Sequence, residues 1–164
     1  MPYVSKQVRS PVGVLTLVAS ERGLAAILWP DDRPGRVRLG AVEEAPDQPV
    51  LREAERQLAE YFAGRRTEFD LPLAPAGTPF QQRVWAALRA IPFGQTVSYG
   101  QLADRIGRPT AARAVGAANG RNPISIIVPC HRLVSSTGGL ISYGGGLERK
   151  AWLLAHERRV RTGG

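Results

Sequence analysis

The chain contains a single cysteine, Cys130, in the run Pro129-Cys130-His131-Arg132. A thiol is a nucleophile only as the thiolate, and a free cysteine has a pKa of about 8.5. The imidazole and the guanidinium that follow in sequence are groups that could lower this pKa. The alternative is a small buried hydrophobic residue after an apolar segment, which is the common situation of a lone cysteine. The tetrapeptide leaves both interpretations open.

Positive charge is concentrated in the half of the chain that contains the cysteine. Residues 1–77 carry a net charge of −1 and residues 78–164 carry +9, within a total of +8. This asymmetry favours a polyanionic partner, with nucleic acid first and an anionic membrane surface second. A basic surface that serves only solubility is the alternative. Arginine outnumbers lysine 20 to 2, which favours phosphate binding unless it only reflects genomic base composition.

The composition also excludes some classes of protein. One cysteine rules out an internal disulfide and a multi-cysteine zinc site. No apolar run approaches the roughly 20 residues that span a bilayer, and the N-terminal segment lacks the apolar stretch of a signal peptide. We therefore expect a reduced, cytoplasmic protein with no membrane partner.

The first part of the chain predicts a small sheet and one helix. Short segments at 3–8, 14–19 and 24–29 alternate apolar and polar residues between turn sequences, which is typical of antiparallel strands. Residues 31–47 are rich in proline, glycine and charge and predict a loop. Helical apolar spacing follows over 50–62.

The next segment predicts a domain boundary. A brief strand is expected at 67–71, and the proline-rich residues 72–77 are the predicted linker. Thr78 and Pro79 beyond it are typical of a helix start.

The second part of the chain predicts a mainly helical domain. Short helices at 99–106 and 110–118, separated by Gly107-Arg108-Pro109, are a candidate helix-turn-helix. Residues 124–128 predict a buried strand or extended run that ends at the cysteine. A last helix over 147–157 is expected to bury Leu147, Ala151 and Leu154.

Arg113 is the one long side chain in a run of small residues, 111–118. A helix with such small side chains can approach another surface closely, and Arg113 would extend beyond them toward that surface. The alternative is a helix packed inside the protein, with Arg113 extending to water.

Together these motifs resemble the O6-alkylguanine-DNA alkyltransferases, the methylated-DNA–protein-cysteine methyltransferase family. The resemblance covers residues 78–157 in order and without gaps, whereas residues 1–77 match only in general character. The matching segments are FQQRVW (80–85), IPFG (91–94), SY (98–99), LA (102–103), AARAVG (111–116), NP (122–123), IIVPCHR (126–132), YGGGL (143–147) and WLLAHE (152–157).

The resemblance implies an α+β fold with two domains. Residues 1–77 would form a small ribonuclease-H-like domain with an antiparallel sheet. Residues 78–164 would form a mainly helical, winged-helix-like domain with a helix-turn-helix. The implied activity is direct, irreversible, single-turnover transfer of an alkyl group from O6-alkylguanine, and also O4-alkylthymine, to Cys130.

The implied partner is double-stranded DNA, bound through its minor groove. The target base must be flipped out, because its O6 atom is out of reach inside the duplex. No cofactor and no metal are expected. The protein is expected to be a monomer, and clustering along DNA stays open.

The resemblance also implies a role for each matching residue. Cys130 would accept the alkyl group, His131 would act as base through a bridging water, and Glu157 would hold the imidazole, as in a catalytic triad. Asn122 would brace the turn that carries the cysteine. Tyr99 would rotate the target nucleotide and hydrogen-bond or protonate the leaving guanine.

Two further groups of residues follow from the resemblance. The DNA contacts would be Arg113, which fills the gap left in the base stack, together with Thr110, Ala111, Ala112, Ala114, Gly116, Ser98 and Arg132. The substrate pocket would be formed by Tyr143, Gly144, Leu133 and Ser142. In it the carbonyls of Cys130 and Leu133 and the amide of Gly144 would contact the guanine edge.

Two features depart from the family pattern. Ile141-Ser142 stands where members often carry Thr-Gly or Gly-Asn, which leaves the range of accepted adducts open. The zinc that some members bind through cysteines of the first domain is expected to be absent, because residues 1–77 contain no cysteine.

Two other functions remain possible for the same residues. One is a sensor that flips alkylguanine without reacting with it. The other is a cysteine hydrolase that uses Cys130, His131 and Glu157, although a basic domain with a thin helix has no evident use in that chemistry.

Overall fold

The structure, a computed structural model, describes residues 3–140 and 142–163, and its contacts divide the chain into two units, Met1–Ala76 and Gly77–Gly164. The first unit contains strands β1 (Tyr3–Val8), β2 (Leu15–Ser20), β3 (Gly23–Leu28) and β4 (Val42–Glu44), and helix α1 (Pro49–Phe62). The strands form one sheet in the order β3-β2-β1-β4.

The antiparallel prediction is confirmed for β1, β2 and β3. The loop prediction for 31–47 is wrong at β4, which pairs in parallel with β1. This edge strand is held by backbone hydrogen bonds, from Tyr3 N to the Ala41 carbonyl (3.0 Å) and from Ala45 N to the Ser5 carbonyl (2.9 Å). Its three residues are all exposed, so they carry no alternation of apolar and polar positions.

Helix α1 begins at Pro49, one residue before the predicted start. Gln48 caps it by accepting from Leu51 N (2.9 Å), and Pro49 stands at the first position. The strand predicted at 67–71 is absent. The buried Gln57 side chain forms hydrogen bonds with the backbone N–H and carbonyl of Asp70, the groups that a neighbouring strand would otherwise pair with. Gln57 Nε2 donates to the Asp70 carbonyl and Gln57 Oε1 accepts from Asp70 N, each at 2.9 Å.

The second unit confirms the predicted mainly helical part of the α+β fold. Its elements are α2 (Pro79–Arg89), β5 (Val97–Ser98), α3 (Tyr99–Arg105), α4 (Ala112–Gly120), a 3₁₀ turn at Cys130–Arg132, β6 (Leu133–Val134) and α5 (Leu147–Arg161). Strands β5 and β6 pair in parallel.

Helices α2 and α3 start with the same side-chain arrangement. In each, a hydroxyl and a glutamine three residues later exchange hydrogen bonds with the backbone, Thr78 with Gln81 and Ser98 with Gln101. Helix α4 starts at Ala112, later than predicted, and Ala111 at its cap position makes no side-chain hydrogen bond.

Helix α5 extends four residues beyond its predicted end. Its predicted buried face is wrong at Ala151, which is exposed, and at Leu147, which is 45% exposed. The buried residues are Lys150, Leu153, Leu154, His156 and Glu157. Within the described ranges, no helix is long and apolar enough to cross a membrane.

Candidate active site

Cys130 opens the 3₁₀ turn and is 3% exposed. The segment before it, 124–128, is buried as predicted, but it is a series of turns and not a strand. Val128 N donates to the Ile124 carbonyl (2.9 Å), and Ile126 adopts a φ of 75°. A β-branched residue is a true outlier in the left-handed region, so the surrounding packing must hold it there.

Asn122 provides part of that restraint. Its Oδ1 accepts from Ile124 N (3.1 Å) and its Nδ2 donates to the Val128 carbonyl (2.9 Å). Both ends of the turned segment are therefore fixed by one buried side chain. The bracing role expected of Asn122 is consistent with this geometry.

His131 and Glu157 lie side by side in the interior. Both side chains are essentially inaccessible, and His131 Nε2 lies 2.7 Å from Glu157 Oε2. With Glu157 ionised, Nε2 carries the proton and donates it. The other nitrogen, Nδ1, is buried without a hydrogen-bond partner among the described residues, so its lone pair can accept a proton.

Burial sets the charge states of this pair. It lowers the pKa of His131 below its ordinary value of 6.5, and the opposing effect of Glu157 does not compensate. Burial alone would raise the pKa of Glu157, but the hydrogen bonds from His131 and Arg132 outweigh it and hold that pKa far below 4.5. The site therefore contains a neutral imidazole beside a carboxylate, the states that a general base and its orienting group need.

Arg132 lies inside the protein, 6% exposed, and not on the surface where a phosphate contact would place it. Its Nε and Nη2 donate to the two oxygens of Glu157 at 2.8 and 3.0 Å, and its Nη1 donates to the Ile91 carbonyl at 2.7 Å. Gly94 N also donates to Glu157 (3.2 Å). The structure thus assigns Arg132 to the support of the carboxylate.

Helices α3 and α4, the candidate helix-turn-helix, are connected to this site through the β5–β6 pairing. Ser98, the residue before Tyr99, lies opposite Val134 in the β5–β6 pairing. Val134 comes two residues after the 3₁₀ turn Cys130–Arg132, here called the acceptor turn because the resemblance makes Cys130 the alkyl acceptor. The Tyr99 hydroxyl is buried with no hydrogen-bond partner in the described structure. Its ring packs against Gly116 of α4, where an added Cβ would lie 3.4 Å from Tyr99 Cε1.

Helix α4 presents small residues and one arginine to solvent. Arg113 and Ala114 are exposed, as is Thr110 before the helix, whereas Ala111, Ala112 and Gly116 are half-buried. Ser98 is half-buried and its hydroxyl caps α3. Apart from Arg132, the predicted DNA contacts therefore share one region of the second unit.

The predicted pocket residues follow the acceptor turn. Leu133 is buried, Tyr143 and Gly144 are half-buried, and Ser142 is exposed. The Tyr143 ring meets the His131 ring edge-on, with the centroids 6.4 Å apart.

The sequence analysis missed Lys150. This side chain is fully buried on α5, and its ammonium donates to the carbonyls of Leu133 and Ser142. Its spacing from Glu157, seven residues along one helix, is the signal that could have found it. Among the described residues, no group of three potential metal ligands from His, Cys, Asp and Glu occurs.

Two family models match the chain. One, described as "6-O-methylguanine DNA methyltransferase, ribonuclease-like domain", matches residues 4–75. The other, described as "6-O-methylguanine DNA methyltransferase, DNA binding domain", matches residues 79–159.

Individual relatives give the same result. The chain is 49% identical over 154 residues to a methylated-DNA–protein-cysteine methyltransferase of Mycolicibacterium paratuberculosis, covering 94% of this chain and 92% of that protein. The Shigella flexneri protein of the same name is 44% identical, with 94% and 95% covered. A crystal structure of Mycobacterium tuberculosis OGT in complex with DNA is 46% identical, covers 98% and 94% of the two chains, and superposes with a TM-score of 0.84. The chain therefore belongs to the methylated-DNA–protein-cysteine methyltransferase family.

Proposed function

We propose that this protein repairs DNA by moving a methyl or larger alkyl group from O6 of guanine, and from O4 of thymine, to Sγ of Cys130. The observation that carries the proposal is the acceptor turn itself. It joins a buried cysteine to a histidine whose free nitrogen can take a proton and whose other nitrogen is fixed by Glu157. The names of the relatives, and the DNA in one solved relative, support the same reaction.

The transfer balances without a cofactor. His131 Nδ1 takes the thiol proton through a bridging water. The thiolate then attacks the alkyl carbon from the side opposite its bond to guanine O6. The sulfur–carbon bond forms as the carbon–oxygen bond breaks, and the departing guanine anion takes a proton with help from the Tyr99 hydroxyl. The products are unmodified guanine and a thioether on Cys130, so each molecule reacts once.

Residues 78–164 would bind DNA through the minor groove and flip the lesion. A helix of small residues suits a narrow groove, and the exposed Arg113 suits replacing the extruded base in the stack. Residues 1–77 would be structural. We further propose that the protein acts as a cytoplasmic, nucleoid-associated monomer.

The test is the mass of the intact protein after incubation with duplex DNA that contains one O6-methylguanine. We expect a gain of one methyl group on Cys130, saturating at one per molecule. The same duplex with unmodified guanine, and the Cys130→Ser variant, should give no gain. Lesion-specific binding with no gain in mass would identify a sensor, and the proposal would be wrong.

A further inference from the structure

A tight turn between α2 and β5 contacts the buried carboxylate of Glu157. Gln95 N donates to the Pro92 carbonyl at 3.1 Å and closes this turn. Gly94 adopts a φ of 79°, in the left-handed region that favours glycine. Its N–H donates to Glu157 Oε1 at 3.2 Å, and its carbonyl accepts from Arg161 Nη1 at 3.3 Å. Both backbone groups of Gly94 therefore hold the turn against α5.

The N–H of Gly94 completes a set of four hydrogen bonds to Glu157. An ionised carboxylate has about four acceptor sites. Arg132 Nε and Gly94 N donate to Oε1, and His131 Nε2 and Arg132 Nη2 donate to Oε2. Three of these four donors belong to the acceptor turn, and Gly94 supplies the fourth from a separate segment of the chain.

These donors limit how strongly the carboxylate attracts the proton of His131. A carboxylate that accepts fewer hydrogen bonds keeps more negative charge for its bond to Nε2, and it stabilises the imidazolium form more. The N–H of Gly94 also directs the positive end of a backbone dipole toward the pair. Both effects favour the neutral imidazole, whose Nδ1 can accept the proton of Cys130.

Other charged and titratable groups face the His131–Glu157 pair from the acceptor turn, from α5 and from the segment before α5. They are Cys130, Arg132, Lys150 and Tyr143. Burial has the largest effect on the pKa of His131 and lowers it, and the positive charges of Arg132 and Lys150 act in the same direction. Residues 91–95 have no ionisable side chain, so the turn at Gly94 adds no charge to the site.

We propose that the backbone N–H of Gly94 is a positioning group for alkyl transfer, which holds the Glu157 carboxylate in place and keeps His131 available as a base under mildly acidic conditions. This inference rests on the proposed function. The contact is sensitive to displacement, because 3.2 Å is at the long end of the range for an N–H···O hydrogen bond. A Cβ on Gly94 would lie 2.6 Å from Arg161 Cδ, so a side chain there would displace the turn, the arginine or both.

Single-turnover alkylation by free O6-benzylguanine, measured as a function of pH, tests this inference without a contribution from DNA binding. The acid limb of the rate profile reports the groups that must lose a proton before the reaction. Gly94→Ala keeps the N–H but disfavours the left-handed backbone, so the turn should move away from Glu157 Oε1. Gly107→Ala is the matched control, because Gly107 has a φ of 75° and an added Cβ would meet no atom within 4 Å.

We expect Gly94→Ala to move the midpoint of the acid limb upward by about half a pH unit, which corresponds to part of one hydrogen bond. The limiting rate above the midpoint should stay within about threefold of the wild-type rate. Gly107→Ala should leave the midpoint unchanged, although both substitutions strain the backbone and lower stability. An unmoved or lowered midpoint for Gly94→Ala overturns the inference, and so does an equal shift for Gly107→Ala.

Two controls keep the outcomes separate. The final amount of benzyl group incorporated at each pH measures the folded, active fraction, so that unfolding in acid is not mistaken for a slower rate. If Gly94→Ala does not fold, Gly94→Asn is judged by the same midpoint, because asparagine tolerates the left-handed region better. Wild-type protein that gains no benzyl group on Cys130 would contradict the proposed function itself. A reactive wild type with an unmoved midpoint in the Gly94 variant would contradict only the role of Gly94.

Discussion

Arg132 and Glu157 form a two-point ion pair in the interior, with Nε on Oε1 at 2.8 Å and Nη2 on Oε2 at 3.0 Å. The same carboxylate accepts from His131 Nε2. The arginine that follows the histidine in sequence therefore holds the group that orients the histidine. A fork-shaped guanidinium suits this task better than an ammonium, because it fixes the carboxylate at both oxygens.

Arg132→Met should destabilise the protein without weakening its electrostatic attraction to DNA. Removing one partner of a buried pair typically costs about 3–5 kcal/mol, which urea unfolding would measure. The slope of log affinity against log salt for duplex DNA should not change. Arg105→Met, at an exposed position at the end of α3, should leave stability within about 0.5 kcal/mol. A slope reduced by about 0.9 for Arg132→Met would instead reveal a phosphate contact.

Glu157→Gln should slow alkyl transfer strongly. The amide cannot stabilise the imidazolium that forms when His131 accepts the thiol proton, and a positioned base contributes about 10²–10⁴-fold. We expect a limiting rate with O6-methylguanine DNA that is lower by about two orders of magnitude. Glu148→Gln in the exposed first turn of the same helix should react like wild type. Equal rates for wild type and Glu157→Gln would exclude Glu157 as the orienting group.

Acid should destabilise the protein in two successive ranges. The pKa of His131 is lowered by burial, so below about 6.5 the unfolded chain binds a proton that the folded chain does not, and stability falls. Glu157 contributes stability above the unfolded value near 4.5, because the folded state holds its pKa far lower, and this contribution is lost as pH falls further. Urea unfolding at several pH values measures both effects. A curve that stays flat from pH 7 to pH 4 would contradict them.

Arg113→Ala should impair repair of duplex DNA more than reaction with free O6-benzylguanine. The side chain is exposed on α4, and its proposed role is to replace a flipped base, which the free base does not require. Rates for both substrates, measured on the same preparation, provide the comparison. An equal loss with both would show that Arg113 does not act as a base replacement.

Asn122→Ala should both destabilise the protein and slow the transfer. It removes two buried hydrogen bonds that restrain the segment before Cys130, and leaving such groups unsatisfied costs about 1–3 kcal/mol each. Asn119→Ala is a matched control at a nearby buried asparagine, whose Oδ1 has no hydrogen-bond partner in the described residues. The free energy of unfolding and the limiting rate should change less for Asn119→Ala than for Asn122→Ala.

The sequence predicted the elements whose signals are local. The cap of α2 follows from Thr78-Pro79 with Gln81, and strands β1 to β3 follow from alternation between turn residues. The neighbours of Cys130 in sequence single it out, with His131, as the candidate acceptor and base. These features depend on interactions within a few residues.

The remaining features depend on contacts between distant residues. The buried face of α5 differs from the face that its apolar residues predict. Two of its buried positions, Lys150 and Glu157, are charged groups whose partners lie elsewhere in the fold. A pattern of apolar residues cannot reveal such a face. The turned conformation at Ile126 is equally hidden, since an isoleucine there would ordinarily be extended.

The parallel pairing of β5 with β6 is only two residues long, yet it joins the start of α3 to the residues that follow Cys130. The register of Ser98 opposite Val134 sets the distance between the start of α3 and the turn that carries Cys130. Under the proposed function, exposed residues of α3 and α4 could then vary, and change which DNA is bound, without altering the distance that a flipped base would have to cover to reach Cys130. A one-residue insertion between Ser98 and Tyr99 would displace Tyr99 and the start of α3, while Cys130, His131 and Glu157 lie on other elements.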